Sequence, residues 1–477
     1  MAAGVTMAKT SVRYSTARPA VARPGPVERT LVILTTFVLL HPLPIAWFQT
    51  RAQFVEQDGN FTLLAVQLML MLMAVARVVG DLDWWLLAYR LDQTLFAFVG
   101  LAFATFFWSA DPGATLRQAI MFGAVTLYGV YLVLRFPLVE ILQLFAVMFV
   151  ISAVVNLAFV IAMPAYAIDN GLWDGVFFQK NALGFSALIG IPTLIVAGRT
   201  NARARFVFYG TVLVLFVLLL GSQSKTMLVA TLASVLLLFI FRLFRGRRTL
   251  RGAVLLSLAA MSVLTVAVAT ANIAVLAEWL DKDITLTGRI PLWESLIPVV
   301  VERPLTGWGY RATFGDYFSP VHEVLVQADW KPTHAHNAAL QIWLEMGVFG
   351  VLLFLITYIR AVARSLQVVN IVPGIVGLWP LMFLSSTLLI SITESGISYS
   401  RPGWLLYVVA VLSVAHVVRT PRSAPAGGTG GGRSFRVGAV AGAADDISIG
   451  PASTVTGSSG RGETADLGDL LDAQPPS

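Results

Sequence analysis

Residues 138–162 read LVEILQLFAVMFVISAVVNLAFVIA, with one charge, Glu140, near the start and only scattered uncharged polar side chains after it. A bilayer core about 30 Å thick is crossed by roughly 20 apolar residues in a helix. This stretch is therefore long enough to span a membrane. Working outward, similar runs are expected at 30–48, 61–80, 91–110, 118–135, 182–198, 204–221, 226–243, 252–279, 337–359, 371–393 and 402–418. The run at 91–110 carries Asp92 and follows an awkward Trp84–Arg90 segment suited to an interface.

Composition agrees with that reading. Apolar residues make up 57% of the chain and charged ones 12%, with a mean hydropathy of +0.77, values that exclude an ordinary soluble domain of this length. The expected fold class is all-α, a polytopic membrane protein with about 12 transmembrane helices and a large extracytoplasmic loop. Cysteine is absent, which excludes disulfides, thiolate metal sites and a cysteine nucleophile.

The division expected along the chain is a basic cytoplasmic segment at 1–29, a helical domain at 30–418 whose large outer loop covers 280–336, and a disordered cytoplasmic tail at 420–477. Lys9, Arg13, Arg18, Arg23 and Arg29 lead straight into the first apolar run without a small-residue cleavage site, so no removable signal peptide is expected. The tail, with Gly427-Gly428-Thr429-Gly430-Gly431-Gly432, lacks the apolar surface needed to fold alone.

Charge asymmetry orients the helices. With the N-terminus inside, the inward connections hold Arg77, Arg90, Arg135, Arg199, Arg203, Arg205, Arg242 through Arg251, Arg360, Arg364, Arg419 and Arg422. The outward ones are poorer in basic residues and include Asp111, Asp169 and Asp174. By the positive-inside rule both termini are cytoplasmic and the loop before residue 337 lies outside. The net charge of +7 thus reports membrane orientation, and nucleic acid is not an expected partner.

The outer loop concentrates the chemistry. Thr287 is placed to cap a short helix carrying Arg289, with Ile290, Trp293, Leu296, Ile297 and Val300 on one side, kinked at Pro298 and ended by Arg303-Pro304 before the turn Gly307-Trp308-Gly309. Such a helix would lie along the membrane surface, with Arg289 either holding an anion near its N-terminus or touching lipid headgroups. His336-Asn337 opens the next apolar run, where the helix dipole disfavours an imidazolium and leaves a ring able to accept a proton. A histidine there serves equally as a cap or a solvated side chain. His334 invites a metal reading, but two histidines without clustered carboxylates or thiols match no common zinc spacing.

Other polar residues share that side. Lys180 lies in Trp173–Gly184, and Lys225 in the turn Gly221-Ser222-Gln223-Ser224-Lys225-Thr226. Each lysine alone reads as a snorkelling side chain. Together with Arg289 and Arg401 they suggest a site for a strongly anionic group such as a diphosphate. Glu345 and Glu394 are costly in a membrane unless paired with a cation or lining a polar cavity, and structural ion pairing is the expected role of both.

Several short motifs occur in one order: Gly175 to Gly184 with Lys180-Asn181, Ser222-x-Ser224-Lys225, Gly288-Arg289-x-x-x-Trp293, Arg303-Pro304-Leu305-x-Gly307-x-Gly309, and His336-Asn337 followed by Glu345-x-Gly347-x-x-Gly350. In this the chain resembles the O-antigen ligase and polysaccharide polymerase family of bacterial envelope enzymes. The resemblance implies the membrane-embedded, polyprenyl-phosphate-dependent glycosyltransferase fold, and an inverting, metal-independent enzyme without cofactor. Its implied partners are a polyprenyl-diphosphate-linked glycan, a glycan or lipid acceptor, membrane lipids and envelope polysaccharide assembly proteins. The location it implies is the bacterial cytoplasmic membrane. Carried onto this sequence, His336 acts on the acceptor and Arg289 and Lys225 handle the diphosphate, with Lys180 and Arg401 beside them and Asn337, Glu345 and His334 in support. Lys225 departs from the arginine frequent at that place and lacks its bidentate fork.

Polymerisation of surface or exopolysaccharide repeat units is favoured over ligation of a finished glycan to another acceptor. A polysaccharide or lipid transporter is the competing class, but transporters commonly show repeats and charges near the midplane, whereas these charges gather at one surface. A noncatalytic assembly scaffold leaves the basic cluster without a purpose.

Overall fold

A computed structural model describes residues 24–41, 61–76, 88–177, 179–243, 289–314, 319–327, 332–391, 394–395 and 401–419. The longer helices within them are Pro26–Leu40 (α1), Phe61–Val75 (α2), Gln93–Ala104 (α3), Pro112–Arg135 (α4), Leu138–Ala162 (α5), Lys180–Thr200 (α6), Arg205–Ser222 (α7), Lys225–Leu243 (α8), Arg289–Glu302 (α9), Ala338–Ile371 (α10), Trp379–Ser391 (α11) and Arg401–Arg419 (α12). Among the described residues 7 helices are long and apolar enough to cross a membrane, with shorter apolar helices at Gln93–Trp108 and Val376–Ser391. Among the described residues the strand content is a hairpin of Ile168–Asp169 with Leu172–Trp173. The protein is an all-α, multi-pass membrane protein.

Each expected apolar run overlaps a helix except 252–279, which lies outside the described residues, as do Thr287 and the tail at 420–477. The boundaries moved where charge is tolerated. The run expected to end at 359 continues as α10 to Ile371, past Arg360 and Arg364. Arg364 remains in the helix because it pairs with Asp92, a fully buried carboxylate. Asp92 is also the N-cap of α3, accepting the Leu95 N–H at 3.1 Å, which explains a charge at the head of that run. Asp111, followed by Pro112, caps α4 in the same way.

α12 packs against α1, α4, α10 and α11, and is buried almost continuously from Trp404 to Ala415. α6 is similarly enclosed by α5, α7, α8 and α11. α7 and α8 instead expose Leu213, Leu220, Leu232, Leu236 and Phe239, the apolar faces expected toward lipid.

The two ends of the bundle differ. One holds the Glu28–Arg135 pair at 2.6 Å, the Arg29–Glu140 pair at 2.8 Å and the Asp92–Arg364 pair. The other holds the starts of α4, α6, α8 and α10 and the end of α11.

Two glycines shape that second end. α10 breaks at Gly347, where φ is 66° and ψ −170°, a region open essentially to glycine alone. The break frees backbone groups, and residues 304–309 take them up. The Trp308 and Gly309 N–H groups donate to the Leu344 and Glu345 carbonyls at 2.9 Å, and the Val348 N–H donates to the Pro304 carbonyl at 2.9 Å. Irregular backbone at membrane depth is tolerated when protein satisfies it in this way. A Cβ on Gly347 would fall 2.0 Å from the Leu305 oxygen, and one on Gly307 2.5 Å from the Glu345 carbonyl carbon. The Arg303–Gly309 motif is thus a backbone plug for the kink.

Gly347→Ala is expected to destabilise the fold by about 3 kcal/mol or more. In detergent its unfolding midpoint should fall by at least about 5 °C, whereas Gly210→Ala, with open space around the new Cβ, should not lower it. Equal midpoints for the two variants would sink this account of the kink.

Candidate functional site

The loop helix α9 forms from Arg289 to Glu302 with Pro298 inside, but its buried stripe is turned from the expected one. Leu292, Leu296 and Val300 are buried, with Val299 half-buried beside them, against Leu340 and Leu344 at the head of α10, while Ile297 is exposed. The helix settles on α10 instead of presenting the Trp293–Ile297 side, because Trp293 has another task. Its indole Nε1 donates to the Ala335 carbonyl at 2.8 Å. Positions 289 and 293 are one helical turn apart, so the same helix supplies Arg289 and clamps the histidine loop. The other side of that loop is held by Gln341, which accepts the Ala335 N–H at 2.6 Å and donates to Glu345 at 2.7 Å.

The clamp supports a strained residue. His336 has φ +49°, the left-handed region that non-glycine residues seldom adopt. Its N–H donates to Nδ1 of His334 at 3.1 Å, and the two rings lie 3.9 Å apart. Burial, helped by the neighbouring His336 and by the Arg311 and Arg289 guanidiniums, holds His334 well below the usual histidine range. His334 is therefore a neutral acceptor that fixes the His336 backbone. Asn337 caps α10, its Oδ1 accepting the Leu340 N–H at 3.0 Å.

The side chains converge on Glu394, whose N–H continues the last turn of α11 by donating to Ile390. Oε1 accepts Arg289 Nη2 at 2.6 Å and Asn181 Nδ2 at 3.1 Å, and Oε2 faces His336 Nδ1 at 3.2 Å. Ser224 Oγ donates to Asn181 Oδ1 at 2.8 Å, which turns the amide so that its nitrogen meets the carboxylate. Arg289, Glu394 and His336 keep 13%, 8% and 9% of their side-chain surface exposed, so the network is largely desolvated and its charges act strongly.

Of the residues expected in the site, Arg289, His336 and His334 meet here. Lys180 and Lys225 stand beside Asn181 and Ser224 at the starts of α6 and α8, the first half-buried and the second exposed, on the same rim. Arg401 opens α12, and its side chain lies outside the described residues. Glu345 is buried and bonded to Gln341 and the Arg311 backbone, a strut behind the site.

Glu394, Asn181 and Ser224 are the additions. The signal for Glu394 was a carboxylate costly in a membrane unless paired, and the pair it finds is Arg289; for the other two it was their place beside the lysines. His334, His336 and Glu394 each offer a ligand atom within 4.8 Å of the others. Yet His334 Nδ1 already accepts a backbone N–H, and the carboxylate already carries a guanidinium that repels a second cation. The donor set fits an ion-pair network better than a metal centre.

Residues 210–355 match the family model described as O-Antigen ligase. The segment runs from α7 to the middle of α10 and contains Lys225, Arg289, His334, His336, Asn337 and Glu345. The chain is also 28% identical over 287 residues to the exopolysaccharide production protein ExoQ of Rhizobium meliloti (strain 1021), covering 57% of this chain. Over these segments the chain is similar to the O-antigen ligase and polymerase family. The aligned part spans 65% of ExoQ, just under two thirds. Lys180, Asn181, Glu394 and Arg401 lie outside the family segment, so the site is completed by helices that the family model does not reach.

Proposed function

We propose that this protein transfers a glycan from a polyprenyl diphosphate to an acceptor hydroxyl on the outer face of the bacterial cytoplasmic membrane, as a polymerase of surface or exopolysaccharide repeat units. The observation that carries the reading is the junction of a guanidinium and an imidazole on one buried carboxylate, beside two lysines at one end of the helices. Basic residues at the opposite end, Arg135 and Arg364 among them, support an extracytoplasmic site.

The chemistry is a single displacement. The acceptor O–H gives its proton to His336, and its oxygen supplies the electron pair of the new bond to the anomeric carbon. The old bond from that carbon to the diphosphate oxygen breaks, and its pair leaves on the diphosphate. Attack from the face opposite the leaving group inverts the anomeric centre. Arg289, with Lys225, Lys180 and Arg401 around it, stabilises the charge that grows on the leaving group, the work a metal would otherwise do. The carrier bond supplies the energy, so no nucleotide is needed outside the cell.

The relative's role in exopolysaccharide production favours polymerisation over ligation. Deleting the gene and analysing the carrier-linked glycans tests this. Single repeat units should accumulate. Complete chains on the carrier would show a ligase instead, and unchanged glycans would count against both activities.

A further inference from the structure

Glu394 occupies a place that the proposed transfer step leaves unexplained. It follows the end of α11, is 6% exposed, and has each oxygen aimed at one of the two groups assigned to opposite halves of the reaction. Three helices fix it. Asn181 on α6 holds Oε1, Ser224 at the head of α8 orients Asn181, and the Glu394 N–H is tied to Ile390 in the last turn of α11. A structural ion pair needs a single cation and no such alignment.

We propose that Glu394 is the positioning residue of the transfer reaction: one oxygen fixes the tautomer and aim of His336, and the other holds Arg289 until the donor diphosphate draws it away. The proposal rests on the glycan-transfer reading above. A carboxylate only accepts hydrogen bonds, so the His336 nitrogen facing it, Nδ1, carries hydrogen, and the proton of the acceptor hydroxyl goes to Nε2. Glu394 remains a carboxylate throughout, and stabilises the imidazolium that forms, as an orienting carboxylate does in hydrolytic triads.

The shared oxygen pair couples the two substrates. Before the donor arrives, the Arg289 charge offsets that of Glu394, and the carboxylate polarises His336 weakly. A diphosphate competes for Arg289. As the guanidinium turns to it, the uncovered carboxylate favours protonation of His336, so donor binding readies the acceptor side. The reverse also holds, because Arg289 must leave a carboxylate before it grips the donor fully, and donor affinity is lower than the arginine alone would give.

A split between kcat and KM tests this in the purified full chain, with the carrier-linked glycan extracted from cells lacking the gene as donor. Glu394→Gln should lower kcat about 100-fold. KM for that donor should fall about threefold, and inorganic pyrophosphate should inhibit at about threefold lower concentration, since Arg289 is released. A structural role would lower folded yield or raise KM. In a His336→Asn background the same substitution should alter the residual turnover less than about twofold.

Asn181→Ala leaves the charge in place and covers the case in which Glu394→Gln does not fold. Its kcat should drop about fivefold, again only while His336 is present. Turnover within threefold of the unaltered protein for both variants, or equal losses with and without His336, would overturn the positioning role. Full activity of His336→Asn alone would bring down the transfer mechanism too. An inactive His336→Asn beside a fully active Glu394→Gln would sink this inference only.

Discussion

Arg289→Ala should lower glycan transfer by about 10³-fold or more, because a guanidinium on the departing diphosphate stabilises charge that exists chiefly in the transition state. At about 1.36 kcal/mol per decade, that is roughly 4 kcal/mol of barrier. The substitution also strips Glu394 of a partner at 2.6 Å and leaves a largely buried carboxylate with Asn181 and His336 alone. Folded yield must therefore be measured with activity. Arg289→Lys separates the two effects. Lysine keeps the charge near Glu394 but not the planar fork, so its fold should hold while turnover drops about tenfold. Full activity of Arg289→Ala, with normal membrane insertion, would remove the central support of the mechanism.

His336→Asn should lower kcat about 10³-fold, within the range for loss of a general base. Asparagine is the informative choice, since it tolerates the left-handed backbone at φ +49° better than alanine does and keeps backbone strain out of the comparison. Because Arg289 is untouched, inhibition by inorganic pyrophosphate should stay within about twofold of the unaltered protein. Loss of pyrophosphate inhibition together with turnover would mean that the ring serves donor binding. Turnover near the unaltered level would place the base elsewhere.

Much of the fold is legible in the sequence. Runs such as 138–162 identify their helices because a bilayer imposes length and apolarity on each segment independently of its neighbours. The charge bias of the connections ordered them into two ends, and the ion pairs Glu28–Arg135 and Asp92–Arg364 gather at the end where basic residues were expected. Boundaries were less legible. α10 passed its expected end because Arg364 finds Asp92, 272 positions earlier in the chain, and no local pattern registers that partner.

The site divided similarly. Arg289 and His336 stood out because each lies in a short motif at a helix start. The spacing of Arg289 and Trp293 acquired a reason only when the indole was found to hold the Ala335 carbonyl. At two turns the lysines Lys180 and Lys225 carry the visible charge, and their neighbours Asn181 and Ser224 join the network. Successive residues on a helix point about 100° apart, and which of two neighbours faces inward depends on how the helix is rotated in the bundle.

By itself, then, the sequence determined the class of protein, the helices seen among the described residues and the polar segment in which chemistry could occur, since hydropathy, capping and charge bias are properties of short stretches. The choice of Glu394 as the common partner of Arg289 and His336, 105 and 58 residues away, was made by the packing of α6, α8, α10 and α11. A buried carboxylate must find its cation and its donors across the bundle, and only the tertiary arrangement decides which ones come within reach.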